Sequence, residues 1–181
     1  MSDGSRGRGL LLWLLGAGFV LTLAMGYVAS ANFKVVEPDD LRNSDQVFSA
    51  LEEGETRRMA LRYVASELNR HFFALYARVH TVLFAGALAV FLVSRLQSRT
   101  ILVGLVYCNL LSMLYLVWFL PVLVEKGRAI DFLSRDPVPP EVKAFYAVHG
   151  VNIVMELVKL GLLPVMALLV GRSRARSRAA C

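Results

Sequence analysis

Four long apolar runs, at residues 10–31, 72–94, 101–124 and 144–170, restrict what this chain can fold into. Each reaches the ~20 residues that a helix needs to cross a hydrocarbon layer ~30 Å thick. One such run could be the buried helix of a water-soluble core. Four of them in 181 residues leave too little polar chain to cover them, since 56% of the residues are hydrophobic and 19% charged. The mean hydropathy of +0.55 agrees. The runs lack the alternation of barrel strands, and lipid satisfies no backbone hydrogen bonds, so helices are the spanning option. The sequence predicts an all-α integral membrane four-helix bundle, a single domain with a basic tail at 171–181.

The net charge of +6 is concentrated at the ends of the runs. Arg172, Arg174, Arg176 and Arg178 directly follow the last one, which suits anionic lipid headgroups and topology control. No basic domain interleaved with aromatic residues accompanies them, so no nucleic-acid partner is expected. Arg6 and Arg8 precede the first run, and Arg95 and Arg99 separate the second from the third. These segments are short and basic, whereas the other two connections are longer and mixed in charge. That pattern predicts both termini on the cytoplasmic side of a bacterial-type inner membrane. A rival reading of the N-terminus is a cleavable signal peptide ending at Ala29-Ser30-Ala31, although its apolar run exceeds the usual ~7–15 residues. Cys108 and Cys181 lie too far apart for a CxxC or zinc spacing.

Between the first two runs, Ser44 is placed to cap a short amphipathic helix, Asp45-Gln-Val-Phe-Ser-Ala-Leu-Glu-Glu53, expected to lie in the interface. From Thr56 onward nothing breaks helicity until beyond Arg95, so the second helix should start well before its apolar part and project from the bilayer. Pro140 suits the first turn of the fourth helix. Phosphate-loop, nucleophile-elbow, HExxH and EF-hand spacings do not occur.

Polar residues inside the runs carry the functional question. His149, Asn152, Glu156 and Lys159 fall within a sector of about 80° on a helix turning ~100° per residue. A charge near the bilayer centre costs about 2.5–3.5 kcal/mol on the gentler insertion scale, so Glu156 and Lys159, three apart, should partly neutralise each other and this face should turn into the bundle. On the second helix, Glu67, Arg70, His71 and Arg78 share one side, and Asn69, Phe73, Tyr76 and His80 nearly the opposite one. Arg78 is deep and needs a partner. Helices two and four run in the same direction, which predicts an Arg78–Glu156 ion pair supported by Asn152. The expected cluster between them is Arg78, His80, His149, Asn152, Glu156 and Lys159. Asn109, Ser112 and Tyr115 form a smaller polar patch on the third run.

Three readings of these groups stay open. They could hold helices together by interhelical hydrogen bonds, worth typically ~0.6 kcal/mol each. They could line a polar cavity for an ion, proton or small solute. Or His80 and His149 could ligate a haem, as in an electron-transfer protein, or copper, since four-helix bundles house such sites. No nucleophile–base–orienter arrangement follows from spacing, so a non-enzymatic role leads.

The last segment, Phe145-Tyr-Ala-Val-His149-Gly150-Val-Asn152-Ile-Val-Met-Glu156-Leu157, resembles the last-helix signature F-x-x-x-H-G-x-S/N-x-x-x-N-L of bacterial proteins related to transmembrane protein 205. The chain after the first run, from Asn32 to Phe73, is similar to the corresponding region of that family. The resemblance implies a small four-helix, multi-pass, copper-resistance-D-like membrane protein with no settled activity and a loose association with metal or drug tolerance. It draws attention to Phe145, His149, Gly150, Asn152 and Glu156, with Asn152 and Glu156 standing where a small hydroxyl and an asparagine are usual. The leading expectation is a buried polar site for solute or metal-ion handling, or for assembly with a membrane-protein partner or a second copy. Most economically it needs no cofactor.

Overall fold

A computed structural model describes residues 3–35, 55–94, 96, 98–135 and 137–179, all of whose regular structure is helical. Helix α1 is Asp3–Val35, α2 Glu55–Val93, α3 Arg99–Leu114, α4 Leu120–Ala129 and α5 Pro140–Ala179. A π-helical turn, Tyr115–Phe119, joins α3 to α4. Four helical segments are long and apolar enough to cross a membrane: Ser5–Val35, Arg57–Val93, Arg99–Ala129 and Pro140–Arg172. The all-helical, four-span expectation holds. The short interfacial helix expected at 45–53 lies outside the described residues, as do Arg95, Cys181 and the side chains of Arg174, Arg176 and Arg178.

Each boundary has a local cause. Helix α2 starts at Glu55, directly after Gly54, and its 39 residues extend for about 58 Å, well beyond a ~30 Å hydrocarbon layer. Ser98 caps α3, its hydroxyl accepting the Ile101 N–H at 3.5 Å. Pro140 opens α5 where a missing N–H costs nothing. The π turn was not apparent in the sequence. Pro121, the second residue after the turn, cannot donate to a carbonyl four residues back, and the Leu120 N–H reaches the Tyr115 carbonyl five back.

The bundle has two unlike ends. Toward the termini, Leu11, Leu15, Phe84, Phe91, Ile101, Leu105, Cys108, Leu163, Met166 and Val170 form a solid apolar cluster. Toward the connections, Met25, Tyr76, Ala77, Tyr115 and Phe119 form a second, more aromatic cluster. Close packing in the first depends on Gly104, because a Cβ there would lie 2.5 Å from Met166 Sδ. Among spanning helices without a hydrophobic force between them, such close approach supplies much of the attraction.

Gly104→Ala should therefore lower stability by about 1–3 kcal/mol through overpacking. Gly16→Ala, where the added methyl meets open space, should be nearly silent. Thermal melting in mild detergent checks both, and Met166→Ala should relieve part of the Gly104→Ala defect.

Candidate functional site

The polar centre of the bundle is a ring of five side chains from three helices. Tyr76 donates its hydroxyl proton to Glu156 Oε2 at 2.6 Å. The other carboxylate oxygen, Oε1, is 2.8 Å from the ammonium of Lys159, one turn along α5. Lys159 Nζ continues to His80 Nδ1 at 3.5 Å. Across the imidazole, His80 Nε2 is 3.3 Å from Thr22 Oγ1 and 3.4 Å from the Gly18 carbonyl. Thr22 Oγ1 donates to the Gly18 carbonyl at 2.9 Å and lies 3.3 Å from the Tyr76 hydroxyl, a contact that completes the ring of side chains without a hydrogen bond, since both hydroxyl protons are committed elsewhere.

Donor chemistry assigns the directions. An ammonium only donates, so His80 Nδ1 accepts and Nε2 carries the ring proton toward α1. Polarity runs from Lys159 through His80 to Thr22 on one arm and from Tyr76 to Glu156 on the other. Aromatic rings wall the circuit. Tyr76 stacks on His80 with centroids 4.6 Å apart, Phe84 meets His80 edge-on at 4.5 Å, and Lys159 Nζ sits 5.9 Å from the Tyr76 ring centroid. Lys159 is 0% and His80 1% exposed, so neither can be served by solvent. Thr22, Tyr76 and Glu156 each lie within two residues of the middle of their long apolar helical segments, so the ring sits midway along the bundle.

Above the ring, toward the connections, lies a cavity of about 400 Å³. Its floor includes Asn152, Tyr115 and Phe73. Asn152 is one turn from Glu156, and Tyr115 meets Tyr76 edge-on at 6.2 Å, so the floor adjoins the ring. Its walls are mainly apolar, among them Leu120, Leu123, Val124, Ile130 and Phe145. Among the described residues the mouth is framed by Arg62, Arg135, Tyr146 and Phe33.

Two polar clamps fix the walls. Arg70 donates both to Asp131, at 2.6 and 2.8 Å, and to Glu67 at 2.7 Å. This forked pairing ties α2 to the turn after α4, and Asp131 is buried beneath it. Gly127 gives it room, with Arg70 Nη2 3.3 Å from where a Cβ would stand. On the other side, Asn32 donates to Asn69 at 2.6 Å and Asn69 to the Ala29 carbonyl at 3.2 Å, binding α1 to α2.

The structure rearranges the cluster expected from sequence. His80, Glu156 and Lys159 meet in the ring. Asn152 and His149 face the cavity, and Asn152 Oδ1 is buried without a hydrogen-bond partner. Arg78 belongs to neither. It is exposed on the opposite face of α2, two residues past buried Tyr76, so the expected Arg78–Glu156 pair does not form and Lys159 takes its place. From a lipid-facing position about six residues inside the apolar run, a long guanidinium side chain can reach the interface. The expected third-run patch divides as well. Asn109 donates to the Phe84 and Leu105 carbonyls at 3.0 and 2.9 Å, the Ser112 hydroxyl has no hydrogen-bond partner, and Tyr115 lines the cavity.

The histidines do not suit a shared haem or copper. His80 is enclosed by Tyr76, Phe84, Thr22 and Lys159, whereas His149 stacks on Phe145 at 5.6 Å. Ten residues, about 15 Å of helix, separate His149 from the lysine that touches His80. Among the described residues no three His, Cys, Asp or Glu side chains converge as metal ligands. Sequence reasoning missed Thr22, Tyr76 and the Arg70–Asp131 pair as site residues. Tyr76 and His80 had been placed together on one face of α2, and that is the face the fold buries. No protein-family model, curated protein or solved structure matches this chain.

Removing one member of the buried pair strands the other. Lys159→Met should cost about 3–5 kcal/mol, and Lys159→Met with Glu156→Gln should recover most of it. Arg78→Gln should stay within about 0.5 kcal/mol of the parent. Chemical or thermal unfolding in micelles checks the series, and equal losses for Arg78→Gln and Lys159→Met would sink the assignment.

Proposed function

We propose that this is a non-enzymatic multi-pass membrane protein that takes up a solute into a half-depth vestibule whose floor lies one helical turn from a charged ring midway along the bundle. The observation that carries this reading is a cavity whose floor, at Asn152 and Tyr115, directly adjoins the ring without opening into it. The vestibule runs from Arg62 and Arg135 down to Asn152 and Tyr115, one helical turn from Glu156. Its size falls in the range of small-molecule pockets, about 300–1,000 Å³, and it combines apolar walls with a few convergent polar groups. Beyond the ring the apolar cluster around Phe84, Leu105 and Leu163 blocks continuation toward the termini. The arrangement is therefore a site reached from one side, as in a binding protein or one conformation of a carrier.

The unpartnered Asn152 amide oxygen stands at the cavity floor, where a donor on an occupant could meet it. An unmet buried acceptor costs about 1–3 kcal/mol, which such a donor would recover. In this reading both termini face the cytoplasm and the membrane is the inner membrane, from the short basic segments at one end of the bundle. The likeness of the last helix to the transmembrane protein 205 family accords with it.

Water access tests the vestibule. In a Cys108→Ala, Cys181→Ser background, Asn152→Cys and Ser66→Cys should react with a small charged methanethiosulfonate reagent in nanodiscs. Leu163→Cys, beneath the ring, should resist it. An Asn152→Cys protein that reacts no faster than Leu163→Cys would remove the vestibule and with it this function.

A further inference from the structure

Among the described residues, the charges around the cavity are unbalanced in a way that specifies a ligand. Of the three arginines on its lining, Arg70 is neutralised by Asp131 and Glu67. Arg62 and Arg135 have no carboxylate partner among the described residues. Arg135 donates to the Tyr146 hydroxyl at 2.8 Å and lies 5.9 Å from that ring's centroid, and its Nε is buried with no hydrogen bond. Among the described residues, two guanidinium groups without a carboxylate thus stand at the mouth of a mainly apolar chamber. Guanidinium groups favour phosphate and carboxylate, which they can bind through two parallel hydrogen bonds.

We infer that the cavity binds a single-chain amphiphile with an anionic phosphate or carboxylate head, held by Arg62 and Arg135, and with its apolar tail between Phe73, Leu120 and Leu123. The inference rests on the vestibule reading and adds the chemical class of its occupant. The tail would lie along the apolar wall above Tyr115. Asn152 at the floor stops it short of the ring, so the Glu156–Lys159 pair stays sealed while the site is filled. Size argues for one chain, because about 400 Å³ suits a drug-sized or single-chain ligand and not both tails of a membrane phospholipid. The head can come from a free amphiphile or from a bilayer lipid that inserts one chain, and both present the same anionic chemistry.

The probe is dodecyl phosphate carrying a diazirine near the tail end, compared with dodecanol carrying the same group, on the full-length protein in nanodiscs of zwitterionic lipid. Photolysis followed by peptide mass spectrometry should place the phosphate probe on Phe73, Leu120 or Leu123. Labelling there should exceed that by the alcohol roughly tenfold, the factor given by 1.4 kcal/mol of head-group preference. Arg62→Gln with Arg135→Gln should reduce the phosphate labelling to the level of the alcohol, with an unchanged melting temperature showing that the variant is folded. Unlabelled phosphatidylglycerol in the nanodisc distinguishes the sources. Competition identifies a bilayer lipid, persistence identifies a free amphiphile, and either supports the site. Equal labelling by the two probes in the parent protein, or labelling confined to lipid-facing residues such as Leu75 and Val82, would overturn the inference. If Asn152→Cys is reactive and the phosphate probe still avoids the cavity, the ligand class fails and the vestibule stands. If Asn152→Cys is inert, both fail.

Discussion

Lys159 has no exposed surface and lies near the middle of an apolar bundle, and most of the interior is arranged around its charge. Lipid offers such an ammonium nothing, so the protein must supply a counter-charge, hydrogen-bond acceptors and polarizable faces within reach. Glu156 provides the charge one turn away, His80 the acceptor and the Tyr76 ring the face. Each helper then needs its own partner. The Tyr76 hydroxyl reaches Glu156, and the remaining histidine N–H looks to Thr22 or to the Gly18 carbonyl. Satisfying one cation thereby draws three helices into a single network, in which a low dielectric makes each unmet group expensive.

Below this network the packing is that of an ordinary apolar core, and above it the helices are held apart. Arg70–Asp131 and Asn32–Asn69 act as spacers near the connections, joining α2 to its neighbours at fixed distances. Large side chains between them, Phe73, Tyr115 and Phe145, line a chamber and do not fill it. The π turn at Tyr115–Phe119 helps, because its wider turn rotates the residues that follow, Leu120, Leu123 and Val124 of the chamber wall, relative to α3. The two ends of one bundle thus differ in kind: one is sealed by Leu and Phe, the other propped open by ion pairs and amides.

Much of this was legible in the chain. Long apolar runs report helix number directly, since only a helix satisfies its own backbone in lipid. The polar face of the last helix was legible too, because 149, 152, 156 and 159 stay on one side whatever surrounds them. Which partner each residue meets was not. Arg78 and His80 are separated by only two residues on α2, yet their directions differ by about 200°, and periodicity cannot tell which direction holds the neighbouring helix. Depth and opposite charge suggested Arg78 for Glu156. The local Glu156–Lys159 pairing that the spacing also allowed is the one that forms, and a tyrosine that carries no charge completes it.

By itself, then, the sequence determined a four-span all-helical chain, the presence of a polar stripe on its last helix and the early start of its second. These follow from local quantities: hydropathy, helical period and the absence of breakers. Tertiary structure alone decided that Thr22 of the first span joins the stripe, that Arg70 turns to Asp131, that Arg78 faces outward, and that a cavity lies above the ring. Rotation of each helix about its axis determines such contacts. That rotation is fixed by how all the neighbouring faces pack at once, and no single segment contains the information.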